Sequence, residues 1–77
     1  MHVTVDVMGP LQRFIKDEQR RVEVEVEDGT TLLDLLIQMG IDTHEPWNAS
    51  LNGTLGDSSS VLTEESFVIV FPPIAGG

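Results

Sequence analysis

No cysteine occurs anywhere in the chain, which excludes a disulfide framework, a thiolate nucleophile and a thiol metal site. Basic residues are almost as scarce. Four of them, Arg13, Lys16, Arg20 and Arg21, share one short stretch, and residues 22–77 hold ten acids with neither Lys nor Arg. The net charge of −9 repels phosphate backbones and anionic lipid, so neither nucleic acid nor a membrane is an expected partner. It favours encounter with a basic surface on another protein. Acidity of this degree also serves simply for solubility. No apolar run approaches the length of a membrane span, and Met1-His2-Val3-Thr4 leads into a strand pattern instead of a signal peptide. The expected setting is the cytoplasm. Seventy-seven residues allow one domain of roughly one helix on one sheet. A chain this short has no room for an internal active-site cavity of ordinary size.

What is present reads as a compact order of elements. Val3, Val5 and Val7 alternate with His2, Thr4 and Asp6, the period of a half-buried strand. Gly9-Pro10 breaks it, and Leu11, Phe14 and Ile15 fit either a short helical turn or a wide hairpin loop. Val22, Val24 and Val26 alternate with Arg21, Glu23, Glu25 and Glu27 as a second strand with a solvated face. After the Asp28-Gly29 turn, Thr31 or Thr30 can cap a helix. Asp34 stands near the positive end of its dipole. Leu32, Leu35, Leu36 and Met39 form its apolar stripe, widened by Leu33 and Ile37, and Gly40 stops it in a left-handed conformation. Residues 47–51 suggest a short strand, Asn52-Gly53 a tight turn, and Thr54-Leu55 the return. The serine-rich loop at 56–60 is a candidate for mobility.

The closing stretch organises the rest. Phe67-Val68-Ile69-Val70-Phe71 is an unbroken apolar run of β-branched and aromatic residues, which belongs in the middle of a sheet, parallel to the first strand. Helix and strand order together predict an α+β roll of the β-grasp type, a mixed sheet with one main helix packed on one face. Either Phe67, Ile69 and Phe71 or Val68 and Val70 must then point to the open face. Exposed apolar area there suggests a docking patch, for which Phe71, Val70 and Val68 are the candidates. Pro72 and Pro73 end the strand, because proline has no N–H for the ladder, and hold the following residues extended. Residues 1–71 thus read as the domain and 72–77 as a thin tail ending in Gly76-Gly77. Such a tail can enter a narrow cleft and present a carboxylate there.

The ending Phe71-Pro72-Pro73-Ile74-Ala75-Gly76-Gly77 resembles the ubiquitin-like sulfur carriers, the MoaD/ThiS family, and within it the small subunits of molybdopterin synthase. The likeness extends to the valine-rich first strand, the Glu27-Asp28-Gly29-Thr30-Thr31 turn, the leucine-rich helix and Leu51-Asn52-Gly53. Two stretches depart from it. Glu65-Ser66 stands where the family usually has Gly-Asp, and Leu11-Gln12-Arg13-Phe14 replaces a Leu-Arg-Glu helix sequence. The resemblance implies a carrier, not an enzyme, with no bound cofactor. A partner adenylating enzyme of the ubiquitin-activating kind would use ATP to activate the Gly77 carboxylate, and sulfur from a donor would leave a thiocarboxylate. The charged tail would then enter the large subunit of molybdopterin synthase, or another sulfur acceptor. Pro72, Pro73, Ala75 and Gly76 would be needed for that entry, since a side chain at position 76 or 77 would keep the carbonyl from the reacting phosphate.

Other readings remain open. The same activated carboxylate could end as an isopeptide on a target lysine, making the chain a protein modifier, or serve thiamine or tRNA thiolation. A plain β-grasp binding module with a loose Gly-Gly end is the third. His2 and His44 have no second ligand at metal spacing, so no metal is expected. Glu23, Glu25 and Glu27 read as a solvated strand face, and Asp57 beside three serines has no histidine in a triad relation.

Overall fold

The computed structural model describes residues 1–15 and 20–73. Strand β1 (His2–Val7) pairs antiparallel with β2 (Arg21–Glu25), Val3 opposite Val24 and Val5 opposite Val22. Between them, Gly9–Phe14 form a 3-10 turn with Pro10 near its start, where a missing N–H costs nothing. Helix α1 (Leu32–Met39) follows, then β3 (Asn48–Leu51), β4 (Thr54–Leu55) and β5 (Phe67–Phe71). The sheet order is β2-β1-β5-β3-β4, with β5 central, parallel to β1 and antiparallel to β3. This is the mixed-sheet β-grasp roll expected from the element order.

Helix α1 is set by local chemistry. The Asp34 N–H donates to Thr31 Oγ1 at 3.2 Å, and the Thr31 N–H reaches back to the Asp34 carboxylate, so both ends of a capping box are closed. Gly40 terminates it at φ 85°, ψ 12°. Leu32, Leu35 and Leu36 are fully buried against the sheet. Ile37, expected to widen that stripe, is 58% exposed. At 100° per residue it lies about 140° round from Leu32, too far to reach the sheet from so short a helix. The serine loop, expected to be mobile, is tied to the helix instead. The Leu32 and Leu33 N–H groups, which have no partner inside the helix, donate to the carbonyls of Ser60 and Ser58. The approach is close enough that a Cβ at Gly56 would stand 2.7 Å from Leu32 Cδ1.

The core is one cluster between helix and sheet. Val3, Val5 and Val7 from β1, Val68 and Val70 from β5 and Ala49 from β3 meet Leu32, Leu35 and Leu36, with Leu11, Ile15, Val26, Ile41 and Leu62 sealing the ends. Trp47 packs partly buried against it. A run as apolar as β5 predicts burial on both faces, but only one is covered. Among the described residues the helix is the single layer, and Phe67, Ile69 and Phe71 are partly exposed on the other side.

Candidate functional site

The expected chemistry sits on the C-terminal residues, and Ala75, Gly76 and Gly77 lie outside the described residues, as does Lys16. The structure therefore defines the root of the tail and the surfaces around it. Strand β5 ends at Phe71, where its register places it opposite Asn48. Pro72 is half-buried and Pro73 exposed, both outside regular structure. The prolines do stop the strand. The ring of the first lies so near the 3-10 turn that a Cβ at Gly9 would be 3.4 Å from Pro72 Cγ. With Pro73 it borders a hollow of about 390 Å³. Across that hollow the Arg13 guanidinium makes a bidentate pair with the Glu45 carboxylate, joining the 3-10 turn to the loop before β3. Arg13 also lies over the Phe14 ring, 4.4 Å from its centroid.

The second feature is the open face of the sheet. Alternation along β5 sends Val68 and Val70 under the helix, where both are 0% exposed. They cannot touch a partner, so two of the three residues expected to dock one are corrected to core. Phe71 is half-buried on the open side, and Phe67, at 37% exposure, and Ile69 join it there. Phe67 faces Thr4 and Ile69 faces Asp6 across β1, while Ser50 and Asn48 of β3 line the other flank.

Asp6 is the residue of this face that period-2 reading missed. Placed as a polar position of a half-buried strand, it is 3% exposed. Arg21, directly opposite on β2, covers it through Nε to Oδ1 at 2.6 Å and Nη2 to Oδ2 at 3.0 Å. These hydrogen bonds hold the Asp6 carboxyl below the usual carboxylate range, against the opposing effect of burial, and raise Arg21. The same guanidinium sits 5.2 Å from the Phe67 ring centroid, a cation–π contact. The available signal was Arg21 as the cation leading into an otherwise acidic strand. Its meaning depended on hairpin register.

The remaining candidates disperse. His2 Nε2 lies 2.8 Å from Glu25 Oε2, while His44 is wholly exposed beside Asp42. Glu23 and Glu25 lie on solvated β2, and Glu27 falls beyond its end. Asp57 accepts from the Ser59 hydroxyl and backbone N–H, which lower its pKa, so its carboxylate holds the loop together. Among the described residues, no three His, Asp or Glu side chains gather as a metal ion would need. No helix of the described residues is long and apolar enough to cross a membrane.

The model of the ThiS family matches residues 5–77. No curated protein matches the chain. Among solved structures, a putative molybdopterin converting factor subunit 1 from Pyrococcus furiosus is 20% identical, covering 96% of this chain and 99% of its own, with TM-score 0.76. Small archaeal modifier protein 1 of Haloferax volcanii is 19% identical over 95% and 98% of the two chains, TM-score 0.75. In Helicobacter pylori, a complex of subunits 1 and 2 of molybdopterin-converting factor contains a chain 21% identical over the full length of both, TM-score 0.65.

Proposed function

The chain belongs to the ThiS family of ubiquitin-like sulfur carriers, and from that premise we propose that it carries sulfur on the carboxylate of Gly77. Residues 72–77 act as the tail and residues 1–71 as a body that docks but performs no chemistry. The observation that carries the reading is the placement of the tail root. The central strand delivers Pro72 and Pro73 to the rim of the sheet, beside a partly exposed apolar face of Phe67, Ile69 and Phe71. A body that places the root of its tail next to such a face suits a co-substrate that two different enzymes must visit in turn.

The chemistry needs a partner because an ionised carboxylate is a poor electrophile. In the activating enzyme, a Gly77 carboxylate oxygen attacks the α-phosphorus of ATP and pyrophosphate leaves. Hydrosulfide, or a sulfur donor equivalent to it, then attacks the acyl carbon and expels AMP, leaving the thiocarboxylate. Glycine at 76 and 77 allows the backbone to approach the phosphate without a Cβ in the way. The acceptor is a molybdopterin synthase large subunit, in keeping with the likeness to molybdopterin converting factor subunits and the two-subunit complex from Helicobacter pylori. A second reading, favoured by the likeness to small archaeal modifier protein 1, is conjugation of Gly77 to target lysines.

The test is intact-mass spectrometry after incubation with the source organism's adenylating enzyme, ATP and sulfide. Exchange of one terminal oxygen for sulfur, abolished when Gly77 is deleted, is the expected result. An unchanged mass under conditions that charge a control carrier defeats the reading. Lysine-linked Gly77 conjugates in cell extract, with no thiocarboxylate pool, would favour the modifier.

A further inference from the structure

All four prolines of the chain, distant in sequence, converge on one hollow. Pro10 starts the 3-10 turn, Pro46 precedes β3, and Pro72 with Pro73 forms the tail root. Together they line about 390 Å³ of apolar concavity, with Leu11 among them and the Arg13–Glu45 pair at the rim. Proline rings offer no N–H and lose little freedom when covered, so this surface is apolar and already in its binding shape. Glu45 and Pro46 also border a second hollow, of about 420 Å³, whose lining includes Trp47, His44 and Asp57. There Trp47 and Asp57 border one concavity, and hydrogen bonds from Ser59 and Ser60 lower the Asp57 pKa.

We propose that this proline collar is the docking surface for the adenylating enzyme, which seats an aromatic side chain among the four prolines and a neighbouring basic residue beside Trp47 and Asp57. The proposal rests on the carrier reading. Four residues follow Pro73, and fully extended they reach at most about 14 Å. An enzyme that holds the Gly77 carboxylate at its nucleotide must therefore bring its own surface against the tail root, and the collar is what surrounds that root. Aromatic side chains pack well on rigid proline surfaces. A cation is the complement of the Asp57 carboxylate in a chain of net charge −9. Carriers without the converging prolines would offer this enzyme a weaker seat, so the collar also confers selectivity among carriers.

The probe is the source organism's adenylating enzyme, assayed by carrier-dependent exchange of pyrophosphate into ATP. Pro46→Asp and Pro10→Asp place a charge in the apolar hollow and are expected to raise the KM for carrier at least tenfold with kcat unchanged. Pro46→Ala, which keeps the hollow apolar, is expected to raise it about threefold and covers the case in which an aspartate variant does not fold. Glu27→Gln, on an exposed residue beyond the end of β2, serves as the reference substitution. Aspartate variants with native thermal midpoints and KM values within threefold of the parent would overturn the proposal. Deletion of Gly77 separates the two ideas: exchange that persists without it defeats the carrier reading, whereas exchange lost without it but indifferent to Pro10 and Pro46 defeats only the collar.

Discussion

The two faces of β5 are both apolar and meet opposite surroundings. Val68 and Val70 are fully buried beneath Leu32, Leu35 and Leu36, whereas Phe67, Ile69 and Phe71, one residue out of phase, remain partly in solvent. The covered face contributes to stability through burial and dispersion. The open face, crossed by Arg21 from β2, keeps apolar area available to a partner. Among the described residues there is one helical layer, so one face of the sheet stays without a helix over it. Period-2 alternation along a single strand thus divides the buried core from the face proposed for binding.

Substitutions one residue apart test that division. Val70→Ala is expected to cost about 2–3 kcal/mol in chemical denaturation, combining lost transfer energy with a cavity that the strand cannot close. It should not alter the KM for carrier in folded protein. An equal loss on docking would show that the faces are not independent. Asp6→Asn should cost less, about 1–2 kcal/mol, because the Arg21 side chain is 62% exposed and solvent weakens the pair. Its effect is also pH-dependent. The lowered Asp6 pKa means its stabilisation is complete above the ordinary carboxylate range, near pH 4, and is lost as pH falls through the folded-state value. Urea midpoints should therefore fall less between pH 7 and pH 3 in Asp6→Asn than in the parent.

Phe67→Ala, on the open side, is expected to change stability by less than about 1 kcal/mol while raising the KM of the sulfur-accepting enzyme for the charged carrier about tenfold, the usual weight of an aromatic contact residue. A stability loss as large as that of Val70→Ala would make this face structural. The smallest effect concerns Glu65, which adopts φ 61° in the turn before β5. The family's usual glycine at this place has no Cβ to strain. Glu65→Gly should gain about 0.5 kcal/mol, the relief of a left-handed conformation less the added freedom of the unfolded chain. Ser66 beside it is buried, and its hydroxyl donates to the Thr63 carbonyl at 2.7 Å.

Much of the site's setting was legible in the residues themselves. The helix start, for which Thr30 and Thr31 were both open and Thr31 proves the cap, the stop at Gly40, the Asn52-Gly53 turn and the central place of the last strand all follow from local pattern. The docking residues were only partly legible. The sequence offered two interleaved sets on β5, and Phe71 was grouped with Val68 and Val70 although they face opposite sides. A lone strand has two equivalent faces until something packs on one of them. The Asp6–Arg21 pair was hidden for a related reason, since it needs the register of β1 on β2, and the loop joining them gives no count of it.

By itself, the sequence determined the order of the strands and the helix with its ends. These depend on interactions within a few residues, where propensity, capping and alternation act directly. Only the tertiary structure decided which face of β5 the helix would cover, that a buried Asp6 would be neutralised by Arg21, and that prolines 10, 46, 72 and 73 would meet around the tail root. Those outcomes rest on contacts between segments far apart in the chain, whose alignment is settled by the packing of the whole core and by no local stretch.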